Sequence, residues 1–131
     1  LPQDAYTLPE LSHELGMNYR TLHSWVERGL FSPSVQQSTG TGNRNLFSTR
    51  DAITACVLVE LRAAGVTFEL LKQAAERLHE AEDTLDHPAY MLVNGDVRIV
   101  HDEHEAAGAL KRGGLTLAYN TANALARFQS S

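Results

Sequence analysis

The chain has a single cysteine, Cys56, among its 131 residues. A lone thiol excludes an internal disulfide and any zinc site built from several cysteines, and it fits a reducing compartment. Long apolar runs are missing too: none approaches the roughly 18 residues of a membrane span. The opening LPQDAYT has neither a basic region nor a small-residue cleavage site. A cytoplasmic location and no membrane partner are therefore expected. No internal repeat is visible, no Gly-Lys-Ser/Thr ending marks a nucleotide-binding loop, and no Ser, His and acid stand in the context of a known catalytic motif. An enzyme is not expected, and no catalytic residue or cofactor is singled out.

Positive charge is also scarce, with 11 Lys and Arg against 16 Asp and Glu for a net charge of -5. That total argues against duplex nucleic acid, whose binding rests on phosphate neutralisation by Lys and Arg. The distribution reverses the argument locally. From Gly16 to Arg50 the charged residues are Arg20, Arg28, Arg44 and Arg50 against Glu27 alone, whereas acidic residues crowd into 80–86 and 102–105. Charge segregated in this way leaves room for one basic face on a chain that elsewhere repels DNA.

What is present is a series of helix signals. Thr7 and Glu10 have the spacing of a capping box, Pro9 is tolerated that early in a helix, Leu8, Leu11 and Leu15 recur on one face, and Gly16 supplies a stop. Asn18 can cap a second helix whose inner face is Leu22, Trp25 and Val26 and whose end is Gly29. Trp25 belongs to the core on this pattern rather than to a base-stacking platform. Two short helices about a Gly-containing turn make a helix-turn-helix. The polar stretch from Leu30 to Asn45 reads as a loop or loose hairpin. Ser48 and Asp51 cap a third helix that is apolar nearly all round, which predicts burial on most sides. Gly65 ends it and Thr67 caps a fourth. There Leu71, Ala74, Leu78, Ala81 and Leu85 recur at steps of three and four, the spacing of a short coiled-coil seam, and Leu71, Leu78 and Leu85 are the expected dimerisation residues.

Beyond Pro88 the period changes to two. In YMLVNGDVRIV, Asn94-Gly95 between apolar runs predicts a hairpin with a two-residue type I′ turn, pairing Val93 with Asp96. Tyr90, Leu92, Val97 and Ile99 then share one face, and Met91, Val93, Asp96 and Arg98 the other. DEHEAAGALKRGG predicts a short helix ended by Gly113, LTLAY a third strand, and ANALARF a last helical turn or two. The fold class is thus mainly α with a small β part. Residues 1–80 form a four-helix winged helix-turn-helix head, and residues 81–131 a small α+β region carrying the hairpin, for dimerisation or partner binding.

On the second helix Arg20, His23, Ser24 and Glu27 fall at i, i+3, i+4 and i+7, a polar stripe opposite Leu22 and Val26, with Tyr19 beside it. Such a stripe is first of all the wet side of an amphipathic helix. It is also what enters a major groove, where these side chains donate to and accept from base edges. The polar loop carrying Arg44 has the place of a wing that lies on the phosphate backbone.

Residues 5 to 80 resemble the DNA-binding head of the MerR family of bacterial transcription regulators. The likeness runs through YTLPELSHELGMNYRTLHSWVERGLFSP, the wing GNRNLFS and the helix pair DAITACVLVELRAAGVTFELLKQAAERL. The family's elements correspond here to Gly29, Leu30 and Pro33, then to Arg44 and Phe47, then to Ala64, Gly65, Val66, Thr67 and Phe68. The resemblance implies duplex-DNA contacts by Tyr19, Arg20 and His23 on the recognition helix and by Arg44 in the wing. Asn18, Ser24, Arg28 and Asn43 complete the expected DNA-binding set. Many members carry Arg followed by an aromatic where this chain has His23 and Ser24, so their base preference does not transfer. The long coiled-coil helix is shortened and its cysteine-bearing metal loop is absent, so metal sensing is not expected. Residues 88 to 131 are closer to the small β-containing tail of stand-alone or antitoxin-type members.

The His101, Asp102, Glu103, His104 and Glu105 cluster reads as a solvated acidic segment ahead of a metal site, and Cys56, mid-helix among Val57, Leu58 and Val59, as a buried inert thiol. The leading expectation is a sequence-specific double-stranded-DNA-binding regulator acting as a homodimer on a pseudo-palindromic promoter site. With no evident effector pocket, it is expected to work as a repressor or autoregulator. The alternative is an antitoxin-type or adaptor protein that holds a protein partner through residues 88–131, with Met91 and Val93 as the sticky hairpin face. An excisionase-like architectural role is a third reading.

Overall fold

A computed structural model of the chain describes residues 5–36, 45–81, 86–111 and 114–128. The helices are α1 (Leu8–Leu15), α2 (Tyr19–Glu27), α3 (Thr49–Ala63), α4 (Phe68–Glu80), α5 (Glu103–Lys111) and α6 (Ala122–Phe128). The strands are β1 (Tyr90–Val93), β2 (Val97–Val100) and β3 (Leu117–Asn120).

Local chemistry sets the limits of the head. Thr7 N–H donates to Glu10 Oε1 at 2.9 Å and Glu10 N–H to Thr7 Oγ1 at 3.3 Å, the reciprocal capping box that starts α1. Gly16 ends that helix at φ 63, a left-handed conformation that glycine adopts without a Cβ penalty. Asn18 Oδ1 accepts from Arg20 N–H at 2.8 Å and so starts α2. Ser48 with Asp51 starts α3, and Thr67 starts α4.

Burial then locks these elements together. Leu11, Leu22, Trp25, Phe47, Ile53, Leu58 and Leu61 are all buried, Trp25 at 4% exposure, so the indole anchors α2 from behind. Each large side chain removed from water contributes roughly 1.5–3 kcal/mol. Tyr6 and Phe47 exchange backbone hydrogen bonds at 2.8 Å, and Leu46 pairs with Gln36, so the two arms of the wing rest on the head.

The C-terminal region is a three-stranded antiparallel sheet in the order β2-β1-β3. Its hairpin register departs from the expected one. Val93 pairs with Val97 and Met91 with Ile99, leaving Asn94, Gly95 and Asp96 as the loop. A type I′ turn needs positive φ at both central residues, but only Gly95 takes it, at φ 75. The physical gain lies in the pattern of burial: this register places Met91, Val93, Val97 and Ile99 on one apolar face, whereas the two-residue turn would put Asp96 and Arg98 there.

That apolar face packs on α4, and two expectations change as a result. Leu71 and Leu78 are 0% exposed within the chain, because β2 and α3 cover them. The seam expected to join protomers is therefore an internal helix–sheet contact, and α4 ends at Glu80, before the seam could lengthen; Leu85 lies outside the described residues. Met91 and Val93, expected as a sticky surface for a partner, are buried in the same core. Helix α6 completes the arrangement by packing on α3, with the Phe128 ring edge-on to Tyr6 at 5.8 Å. Residues 5–80 and the C-terminal region thus share one hydrophobic core, while a smaller cluster of Leu92, Val100, Ala106 and Ala109 holds α5 to the sheet's other face. The α5 helix, the third strand and the last helix occur where the sequence places them; Gly113 lies outside the described residues.

Candidate nucleic-acid interface

The two flanks of α2 have opposite fates. Leu22 and Trp25 face inward, while Tyr19, Arg20, His23, Glu27 and Arg28 are exposed and Ser24 is half-buried. Among the described residues, no other element is packed over the stripe. Tyr19, at 46% exposure, lies beside His23 with ring centroids 5.9 Å apart. His23 Nδ1 in turn approaches Glu27 Oε1 at 3.0 Å, one turn further on. This pairing aligns an aromatic, an imidazole and a carboxylate along the helix. When Nδ1 carries the proton shared with Glu27, the other ring nitrogen of His23 is left for an outside partner.

Arg28 stands apart from that row. Its guanidinium carbon lies 3.4 Å from the centroid of the Phe68 ring, so the end of α2 is stacked on the first residue of α4. A cation held over an aromatic face in this way contributes about 0.5–1 kcal/mol at an exposed site. Asn18 is turned to its own helix, its Oδ1 committed to the α2 cap. Asn43 and Arg44, the expected wing contacts, lie outside the described residues.

The base of the wing is fixed by a carboxylate that composition and spacing do not single out for this role. Ser34 N–H and Ser34 Oγ–H both donate to Asp51 Oδ2, at 2.8 and 2.7 Å, and Ser48 N–H donates to the same oxygen at 2.8 Å. Asp51 is legible in the sequence as the third residue of a capping box; its second task, tying the incoming wing arm to α3, joins residues 17 apart in sequence. Beneath this clamp, between the α2 exit and the faces of α3 and α4, opens a cleft of about 470 Å³ with Leu30, Phe31, Thr54, Lys72 and Glu76 in its wall. The sequence gives no sign of it, because its walls come from three separate elements.

The tail grips the back of the head through a second polar group. Tyr119 Oη–H donates to Glu60, Arg127 donates to the Glu14 carbonyl, and Arg127 Nη1 lies 3.7 Å from Cys56 Sγ. Burial, aided by Glu60, pushes the Cys56 thiol up to about 11. The Tyr119 phenol is raised by burial and then by its bond to Glu60. Neither group is charged near neutrality, so the cluster acts as a set of hydrogen bonds rather than as a reactive centre. Among the described residues no group of three or more His, Cys, Asp or Glu is placed to hold a metal ion, and no helix is long and apolar enough to cross a membrane.

A two-helix unit with a free polar flank, followed by a tethered wing and a helix pair, is the arrangement of a known regulator family, and residues 6–86 match the family described as MerR HTH family regulatory protein. The chain belongs to the MerR family. Its relatives among curated proteins include uncharacterized HTH-type transcriptional regulators of Mycobacterium bovis and of two strains of Mycobacterium tuberculosis, each 25% identical over 76 residues. That stretch is 58% of this MerR-family chain and 34% of each relative, so the likeness spans about a third of the length of those proteins. The family is one of helix-turn-helix transcription regulators, for which DNA binding is implied.

Proposed function

We propose that this MerR-family chain binds duplex DNA sequence-specifically and regulates transcription as a dimer on a pseudo-palindromic promoter site, in the manner of a repressor or autoregulator. The observation that carries the reading is the division of α2: an inner flank pinned by Leu22 and Trp25, and an outer flank of Tyr19, Arg20, His23 and Ser24 with none of the other described elements laid over it. In this reading α2 enters the major groove and Arg20 and His23 meet base edges. The wing with Asn43 and Arg44 lies on phosphates, and Asn18 and Arg28 hold the two ends of the helix in place. The four-helix part, 1–80, carries DNA recognition, and 81–131 serves to join protomers.

A single head covers half a site, so a two-fold pair supplies both length and affinity. Bending a promoter between two such heads would cost on the order of 1–6 kcal/mol, offset by the contacts of the second head. The protein-partner alternative is the weaker, because Met91 and Val93, its intended surface, are occupied by the chain's own core. The test is selection of fragments from a sheared genomic library at stated salt. Recovery of an inverted repeat is the expected result, and retention of no duplex at low ionic strength would remove the proposal.

A further inference from the structure

The two edges of the C-terminal sheet are finished differently. Thr121 N–H donates to the Ala89 carbonyl at 3.0 Å, which makes Ala89–Thr121 a hydrogen-bonded pair. Because such pairs alternate along an antiparallel ladder, Tyr119 and Leu117 bond to Met91 and Val93 of β1. The backbone groups of Ala118 then point away from the sheet. The same alternation, carried across β1, turns the groups of Val97 outward on β2.

At Val97 both outward groups are capped from α4: its N–H donates to Gln73 Oε1 at 3.2 Å, and its carbonyl accepts from Arg77 Nε at 3.1 Å. Asp96 and Arg98 add charge on either side of it. That edge is closed to further strands in the ways natural sheets use. At Ala118 none of this is present. Among the described residues nothing bonds its outward N–H and C=O, and residues 113–126 contain no Asp, Glu, Lys or Arg. Leu115 at the entry to β3 is 92% exposed, and Leu110 on the preceding helix 51%.

From this contrast we infer that β3 pairs antiparallel with β3 of a second copy of the chain, joining two three-stranded sheets into one of six strands across a two-fold axis. The charge-free edge is what selects the occupant. In a two-fold contact a charge close to the axis faces its own copy, and residues 113–126 bring none to that place. Backbone groups, by contrast, are self-complementary in antiparallel pairing, and the small Ala118 side chain lets the strands approach. Leu115 supplies the apolar contact at each end. The inference rests on the dimeric regulator proposed above and replaces the internal Leu71/Leu78 seam as the joint.

The test uses Ala118→Pro in the whole chain. Proline there removes only an outward donor, and an edge strand tolerates it where the N–H faced solvent; a second variant, Ala118→Lys, sets two like charges across the axis. Sedimentation should show the unaltered chain at twice the monomer mass and both variants at the monomer mass, with unchanged circular dichroism. A third variant, Ala118→Cys combined with Cys56→Ala, should cross-link to a dimer under mild oxidation, and so reports on the contact even if the first two variants fold poorly. On a full inverted repeat the monomeric variants should lose about 100-fold or more in affinity while half-site binding persists. Proline and lysine variants that remain dimers, or an Ala118→Cys variant that does not cross-link, would overturn the inference and leave DNA recognition untouched. Loss of half-site binding by a folded monomer would instead count against the regulator reading.

Discussion

Asp51 Oδ2 receives three hydrogen bonds, two of them from Ser34, at 2.8 and 2.7 Å. The first turn of α3 and the incoming arm of the wing are therefore held by one carboxylate oxygen. Removing it leaves the α2 flank in place and frees the wing.

Asp51→Ala is expected to lower stability by roughly 1.5–3 kcal/mol, the range for hydrogen bonds to a charged group. Ser34→Ala, which spares the capping box, should cost less. Both should weaken duplex binding, Ser34→Ala less, since the backbone N–H of residue 34 still donates to Asp51 Oδ2. Denaturant melts beside anisotropy titrations check this. If a folded Asp51→Ala leaves affinity unchanged, the clamp has no part in DNA binding.

Much of the head is legible in the sequence because its boundaries are local. Thr7 with Glu10, Asn18, Ser48 with Asp51, and Thr67 each satisfy amides within three residues, so the four helices begin where those residues stand. The inner flank of α2 is legible for the same reason, being a matter of period alone. What an apolar face meets is not local. The spacing of Leu71, Ala74 and Leu78 suits a helix partner and a sheet partner equally, and only the fold shows that β2 fills that place. The difference in the hairpin has the same root: Asn94-Gly95 favours a two-residue turn, but burial of Val97 opposite Val93 outweighs turn preference. The clamp on Ser34 and the stack of Arg28 on Phe68 join distant stretches, so no window of sequence displays them.

Arg20 on the exposed flank supplies a prediction about salt. If it meets a base edge, Arg20→Ala should cost about 1–3 kcal/mol on the selected site and relax preference at one position. If it meets a phosphate, binding should weaken on all sequences and the slope of log K against log salt should fall in magnitude by about 1. Titrations on matched and mismatched duplexes at several salt concentrations separate the two. An unchanged affinity at every salt would exclude Arg20 from the interface.

Cys56 and Tyr119 predict how the fold responds to alkali. The folded thiol is pushed up to about 11 from an ordinary 9.0, and the Tyr119 phenol is raised above its ordinary 10.0. Below those ordinary values both groups are neutral, folded or unfolded, and their contribution is intact. Above them the unfolded chain loses protons first, so stability falls as pH rises from about 9 towards 11. Denaturant midpoints across that window should decline, and Tyr119→Phe with Cys56→Ala should flatten the decline. A wild-type midpoint that stays level over the window contradicts the burial of these groups.

The most direct measurement concerns the α2 flank itself: discrimination between a selected duplex and a scrambled duplex at matched salt, for the wild-type chain and for Tyr19→Ala/Arg20→Ala/His23→Ala. The wild-type chain should prefer its site strongly, and the triple variant, still folded on its buried Leu22 and Trp25, should bind both duplexes alike. A triple variant that keeps the full preference would contradict the account, because the reading surface would then lie elsewhere on the molecule.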